Sequence, residues 1–379
     1  MPIDRSQRLR IPSHYYVYCD PPDKAGEEVL HFISPNRRIK LKGHSFREFV
    51  QHVMPMLDGR HSFPEIHTEV SDLFAEDDLA AALDLLADNG LLEVPSFWKL
   101  DEARQARLRP QLNLFHDLSR QPWELQERLE RTTVAVVGLT GAGVACARSL
   151  AAAGLGTLRC VDDGVVAPPD LYFSPEFQPP ECGAPRCGAL ERHLASEGTT
   201  VTVQSVTASL TDDRMVEQAV TGSDFIVNCL DEGNLSLVYK LNRACLRSHI
   251  PWTSASSLGF EVVVGPTVYP GETACYMCYR MRLVAGTDNP EASFDFESFL
   301  DRRKADDSGR SANLVFGPAI AGQLAGIEAV KAVCLPDALA TRGRIQVVDL
   351  RDFTSVRHVV LRKPWCPACL ANWDREDGA

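Results

Sequence analysis

Two cysteine pairs, Cys275-Tyr-Met-Cys278 and Cys366-Pro-Ala-Cys369, carry the sharpest chemical signal in the chain. Two CxxC pairs supply four thiolates, the donor set of a tetrahedral zinc ion, and each pair suits a knuckle turn. The protein would fill all four positions, so such a zinc is structural, stapling the last segment of the chain to the middle of its domain. Two unrelated reduced pairs, or a single redox CxxC, are the alternatives. Of the twelve cysteines, most others lie in apolar strands and helices, where cysteine packs as a small hydrophobe. Cys182 and Cys187, in a loop with Gly and Pro, are the candidates for a reactive thiol.

A second constellation could hold phosphate. Gly138-Leu-Thr-Gly141-Ala-Gly143 lies between an apolar run, VAVVG, and a helical one, VACARSLAAAG. Backbone N–H groups at such a helix N-terminus can receive phosphate. Asp162 closes the next strand, where a carboxylate can bond ribose hydroxyls. The glycines are spaced GxxGxG rather than GxGxxG, so a tight turn that only lets helix and strand pack is an equal reading. Asp231 follows the strand FIVNCL at the edge where open α/β sheets bind ligands; it could hold Mg²⁺ on a triphosphate or simply cap the next helix.

These residues need elements to position them. From residue 132 apolar strands alternate with helical segments, which predicts an α/β domain over 132–379 with a doubly wound, largely parallel Rossmann sheet. Residues 284–312 are polar and weakly periodic and read as a long crossover loop. Residues 97–131 read as a charged helical connector. Over 1–96, three β-rich runs (Tyr15–Cys19, Val29–Ile33, Arg37–Gly43) and three helical stretches predict a small winged-helix-like α+β domain. Pro55 should kink or end the first helix, Ser62 caps the second, Asn89-Gly90 stops the third, and LLEV returns as a strand.

A winged helix raises the question of DNA. Residues 1–95 hold ten Lys and Arg against sixteen Asp and Glu, and the helix in the recognition position carries Glu76, Asp77, Asp78, Asp84 and Asp88. Such a helix repels phosphate, so the domain suits a peptide better than nucleic acid. The whole chain, 379 residues with a formal net charge of −12, is acidic enough to disfavour nonspecific binding to nucleic acid or anionic membrane. It has no apolar run of membrane-spanning length and no apolar signal-peptide core at its start, which places it in the cytoplasm.

Together, VVGLTGAG, Asp162, GAPR (183–186), NCLDEGN (228–234) and the two CxxC pairs resemble the ThiF/MoeB family, the nucleotide-binding fold of ubiquitin-activating enzymes. GPTVYPGETACYMC (265–278) and VVDLRDFTSVRHVVLRKPWCPAC (347–369) look most like the cyclodehydratase partner proteins of azole-forming pathways. That resemblance implies an N-terminal RiPP recognition element that binds the leader of a precursor peptide. The leader would add as a strand beside Arg38, Ile39, Lys40 and Leu41 and pack on the helix at Leu79, Leu83 and Leu86. It also implies a separate YcaO-type, ATP-dependent cyclodehydratase as partner and leaves room for a homodimer. Active adenylating relatives bind ATP with Mg²⁺; here Gly138, Gly141, Gly143, Asp162 and Asp231 match that site. Its lysine is matched by Arg186, its upstream Arg-Gln by Pro110-Gln111 with Arg107 or Arg109 nearby, and its asparagine and arginine by Asp170 and Phe173. The ATP site therefore reads as partly eroded, with no catalytic residue assigned. The resulting expectation is a non-catalytic leader-binding component of thiazole/oxazole (bacteriocin-type) biosynthesis. The alternative is an adenylyltransferase of the MccB type that modifies a bound peptide.

Overall fold

The computed structural model describes residues 4, 6–207, 209–230, 234–302 and 312–370. The chain divides into two compact units, residues 1–127 and 128–379.

In the first unit, strands β1 (Arg8–Arg10), β2 (Tyr16–Cys19), β3 (Glu28–Ile33), β4 (Arg38–Gly43) and β5 (Asp58–Ser62) form two small sheets. The larger is antiparallel in the order β2-β3-β4, and β1 pairs with β5. A compound helical segment follows β4. It begins as α1 (Phe46–Glu48), widens to a π-helical turn over Phe49–Val53 and tightens to a 3₁₀ turn over Met54–Met56. Pro55, which has no N–H to donate, sits in the last of these turns, as the sequence predicts. Helix α2 (Phe63–Val70) starts at Ser62, whose N–H and hydroxyl both donate to the Glu65 carboxylate, at 2.7 and 2.8 Å. Helix α3 (Glu76–Asp88) ends before Gly90, which has a φ of +64°. LLEV, expected as a strand, contributes only an isolated bridge between Arg10 and Glu93. Helix α4 (Glu102–Leu118) is fastened to the small sheet through Asp117, which accepts from Tyr15 and Ser34.

In the second unit, α5 (Pro122–Arg131) leads across the boundary to β6 (Thr133–Val137). The chain then runs through α6 (Gly141–Ala152), β7 (Thr157–Val161), α7 (Pro168–Phe173), α8 (Arg186–Ser196), β8 (Thr202–Val206), α9 (Asp213–Val220) and β9 (Phe225–Asn228). After α10 (Leu235–Arg247) come β10 (Trp252–Leu258), β11 (Glu261–Val264), α11 (Tyr276–Ala285), α12 (Pro290–Arg302), α13 (Phe316–Cys334), β12 (Arg344–Asp349) and β13 (Thr354–Val359). The eight strands form one sheet in the order β13-β12-β11-β10-β9-β6-β7-β8. Pairing is parallel from β10 to β8, with the strand order reversing about β6 as in a doubly wound Rossmann sheet.

The structure extends one expectation and corrects another. The sheet is mixed, because β11, β12 and β13 pair antiparallel. Only Gly259 and Phe260 separate β10 from β11, and so short a connection reverses the chain instead of crossing over. The 284–312 stretch is also not a loop throughout. Pro290 opens α12, and Glu297 ties it down by accepting from Tyr239 at 3.2 Å and pairing with Arg280. Residues 303–311 lie outside the described residues.

Candidate functional site

The thiol cluster is the most completely assembled of the predicted sites. Cys275 is the N-cap of α11, and Cys278 follows in its first turn. Beyond β13 the chain returns so that Cys366 and Cys369 meet them. One atom from each of the four lies within 4.8 Å of the others, and all four residues are buried. The Sγ atoms of Cys275 and Cys278 are 3.9 Å apart, those of Cys275 and Cys366 3.6 Å, and those of Cys278 and Cys369 3.7 Å. Sulfurs about 2.3 Å from a tetrahedral ion stand about 3.8 Å apart, so the set fits a metal ion. The Cys275 and Cys369 thiols donate to Cys278 and hold its thiol well below the usual range; the Lys363 N–H, 3.4 Å from its sulfur, acts in the same direction. Arg282 donates to the carbonyls of Leu361 and Arg362 at 2.7 and 2.8 Å, which fixes the returning segment beside α11.

The glycine-rich turn is built differently. Gly138 has a φ of +89°, and a Cβ there would come within 2.9 Å of the Cys229 carbonyl oxygen. At Gly143 a Cβ would lie only 1.8 Å from the Gly138 carbonyl oxygen. Both glycines are therefore demanded by the packing of strand on helix. At Gly141 the neighbours are side chains: an added Cβ would meet Phe173 Cβ at 2.9 Å and Pro318 Cβ at 3.0 Å. Phe173 thus packs on the turn at the position matched to a cation.

Asp162 is also engaged within the fold. Its Oδ2 accepts the Leu139 N–H at 2.6 Å, and its Oδ1 accepts the Gly164 N–H at 2.7 Å. Arg186, at the start of α8, donates from Nε to Asp170 at 2.9 Å, and its Nη1 stands 3.5 Å from Asp162. The Asp170 and Asp162 side chains are each 7% exposed, so the one cation matched to the lysine is held between two buried carboxylates. Its charge is neutralised before any phosphate arrives. Asp231 lies outside the described residues. Arg109 pairs at 3.5 Å with Glu93 of its own unit, and Gln111 donates to Gln126 at 2.7 Å.

The two thiols singled out as reactive candidates differ. Cys187 is fully buried, and that burial pushes its thiol up to about 11, so it is a poor nucleophile. Cys182 is exposed.

In the first unit, β4 pairs only with β3 among the described residues, so it is an edge strand with Arg38 and Lys40 exposed and Ile39 half-buried. An apolar cleft lies beside it, lined by Leu41, Phe46, Phe49, Ala82, Leu85 and Leu86. Leu79 and Leu83 do not reach this cleft; they are fully buried and fill the core with Phe32 and Ile66. Leu85, absent from the sequence-based set, is 41% exposed on the cleft side. Leu79 and Leu83 belong to the core face of α3, Leu86 borders both core and cleft, and Leu85, outside that leucine stripe, is the signal the sequence offers.

Comparison with known proteins gives the family and the fold. The ThiF family profile matches residues 109–368. Molybdopterin-synthase adenylyltransferase of Salmonella typhimurium is 31% identical over 156 residues, 41% of this chain and 61% of that protein, so the match spans about three fifths of that relative. The sulfur carrier protein ThiS adenylyltransferase of Escherichia coli is 25% identical over 246 residues, covering 64% of this chain and 88% of that one. Among solved structures, E. coli MccB with ATP is similar with a TM-score of 0.67 at 15% identity, covering 95% of this chain and 99% of that chain. At that identity the likeness is one of fold. No helix among the described residues is long and apolar enough to cross a membrane.

Proposed function

Because the chain belongs to the ThiF family, we propose that it is the leader-peptide-binding component of a ribosomal peptide pathway, and that it presents its precursor to a separate YcaO-type cyclodehydratase. That partner would use ATP to close Cys, Ser or Thr side chains onto the preceding amide, giving thiazolines or oxazolines. The observation that carries the reading is the edge strand β4 beside the cleft of Leu41, Leu85 and Leu86. An extended peptide added to β4 would gain backbone hydrogen bonds, and an apolar side chain of it could pack over the shallow hollow at Leu85. In this reading residues 1–96 act as a winged-helix-like recognition element, and Cys275, Cys278, Cys366 and Cys369 hold a structural zinc. The binding of Arg186 by Asp162 and Asp170, and the packing of Phe173 on Gly141, support a chain that has left adenylation to its partner.

Two measurements test the proposal. Fluorescence polarisation of a labelled leader should saturate with the purified chain, and the cognate YcaO enzyme should cyclise the full precursor faster when the chain is present. Absence of leader affinity, or equal cyclisation without the chain, overturns it.

The full-length similarity of fold to MccB favours a second reading, an ATP-dependent adenylyltransferase that acts on a bound peptide. Glycines 138, 141 and 143, with Asp162, would then cradle the nucleotide. Pyrophosphate release from ATP and precursor by this chain alone would establish that reading and displace the first.

A further inference from the structure

The first unit buries a cluster of donors that neither reading uses. His116 and Asp117 are consecutive near the C-terminal end of α4, and His14 lies just ahead of β2. One ligand atom from each lies within 4.8 Å of the others. His116 is 5% exposed, and the side chains of His14 and Asp117 are 11% and 1% exposed.

Each imidazole is fixed from one side. His14 Nε2 stands 2.9 Å from Asp117 Oδ1, and His116 hydrogen-bonds the Leu92 backbone. The Nδ1 atoms of both rings are buried and have no hydrogen-bond partner. A neutral imidazole that donates through one nitrogen keeps a lone pair on the other. His116 fits that form, with Nδ1 available to an ion and its other nitrogen held by the Leu92 backbone, whereas His14 would ligate through Nε2 and carry its proton on Nδ1. Asp117 is itself held in place, since Tyr15 Oη donates to Oδ1 at 3.1 Å while Ser34 Oγ and Asn36 Nδ2 donate to Oδ2 at 2.7 and 3.2 Å. Two ligand atoms about 2.05 Å from an ion stand about 2.9 Å apart at a right angle, so an ion could replace the proton between His14 and Asp117.

We propose that His14, His116 and Asp117 bind a divalent transition-metal ion of the zinc, cobalt or nickel class, with water completing its coordination. Two imidazoles and a carboxylate suit such borderline ions, in contrast to the all-sulfur donors of the thiol cluster. The ion would pin the segment before β2, and through Asp117 the β3–β4 turn, to α4. The site is independent of either functional reading.

The difference in donors makes the test direct. The full chain is produced in cobalt-supplemented medium, and cobalt per chain is measured by elemental analysis alongside the absorption spectrum. Thiolate ligation gives a sulfur-to-cobalt charge-transfer band in the near ultraviolet, whereas a nitrogen and oxygen site gives only weak visible bands. Two cobalt ions per chain are expected, one of them without charge transfer. His116→Gln and His14→Gln should each hold one, with the charge-transfer band unchanged as proof that the second unit is intact. No cobalt in the unsubstituted chain beyond that giving charge transfer, or the same cobalt content retained in both variants, overturns the proposal.

Discussion

The thiol cluster and the glycine-rich turn belong to the same sheet domain, and both stand out in the sequence, yet they are finished in opposite ways. At the cluster, four sulfurs converge at tetrahedral spacing with none of them committed to a side chain outside the set. At the turn, the groups that would face a nucleotide are taken up by the protein: Gly141 by Phe173 and Pro318, Asp162 by two backbone N–H groups, Arg186 by two carboxylates. A CxxC motif carries its own ligand atoms, so its spacing nearly determines its chemistry. A glycine motif carries only a backbone shape, and the charges that make it a nucleotide site come from elsewhere in the chain.

The largest effect follows from the zinc proposed for the thiol cluster. Stripping the ion with a strong chelator, or replacing Cys366 with Ser, should lower the Tm of the second unit by about 10 °C or more, equivalent to roughly 3 kcal/mol. Calorimetry with elemental analysis reads both the transition and the ion. A transition unmoved by chelation would mean that the cluster is as self-sufficient as the turn, and the contrast would collapse.

Next comes Gly143→Ala. The added Cβ would lie 1.8 Å from the Gly138 carbonyl oxygen, a backbone atom that cannot swing aside. Destabilisation of about 3 kcal/mol is expected in urea unfolding, with or without ATP. If the loss appeared only as weaker nucleotide binding, with stability intact, the glycine would be serving a ligand and not the packing.

A smaller effect separates the leucines of the first unit. Leu85→Asp should leave Tm within about 2 °C, since the side chain is 41% exposed, but should weaken leader binding about tenfold. Polarisation titration and thermal unfolding on the same variant check this. Unchanged leader affinity would move the peptide away from the cleft.

What the sequence made legible follows the same division. The CxxC spacing pointed to the cluster, and the strand–turn–helix pattern pointed to the βαβ unit and to Asp162 at the end of β7. Local pattern does not say what lies opposite. Leu79, Leu83 and Leu86 form one helical stripe, and a stripe reports burial without saying whether core or ligand covers it. The antiparallel edge of the sheet, β11 to β13, is marked in the sequence only by the brief Gly259-Phe260 connection. Helix α12 was obscured because its aromatics Phe294, Phe296 and Phe299 are exposed and its anchor is a single buried acid, Glu297. The engagement of Arg186 depends on Asp170, sixteen residues away in sequence, and only the fold brings the two together.

That engagement gives the finest test of the comparison. Asp170→Asn removes one of the two carboxylates on Arg186, and Phe173→Arg restores a cation beside Gly141. The double variant should bind ATP about five-fold more tightly than the unsubstituted chain, about 1 kcal/mol, as measured with a fluorescent ATP analogue. The gain should shrink with added salt, because it comes from attraction between the added positive charge and the phosphates. Phe173→Arg alone should give less, since Arg186 would still be paired with Asp170 at 2.9 Å. If the unsubstituted chain already bound ATP as tightly as the double variant, Arg186 would be reaching the phosphates despite its two partners. The turn would then be a working nucleotide site, and the adenylating reading would take precedence.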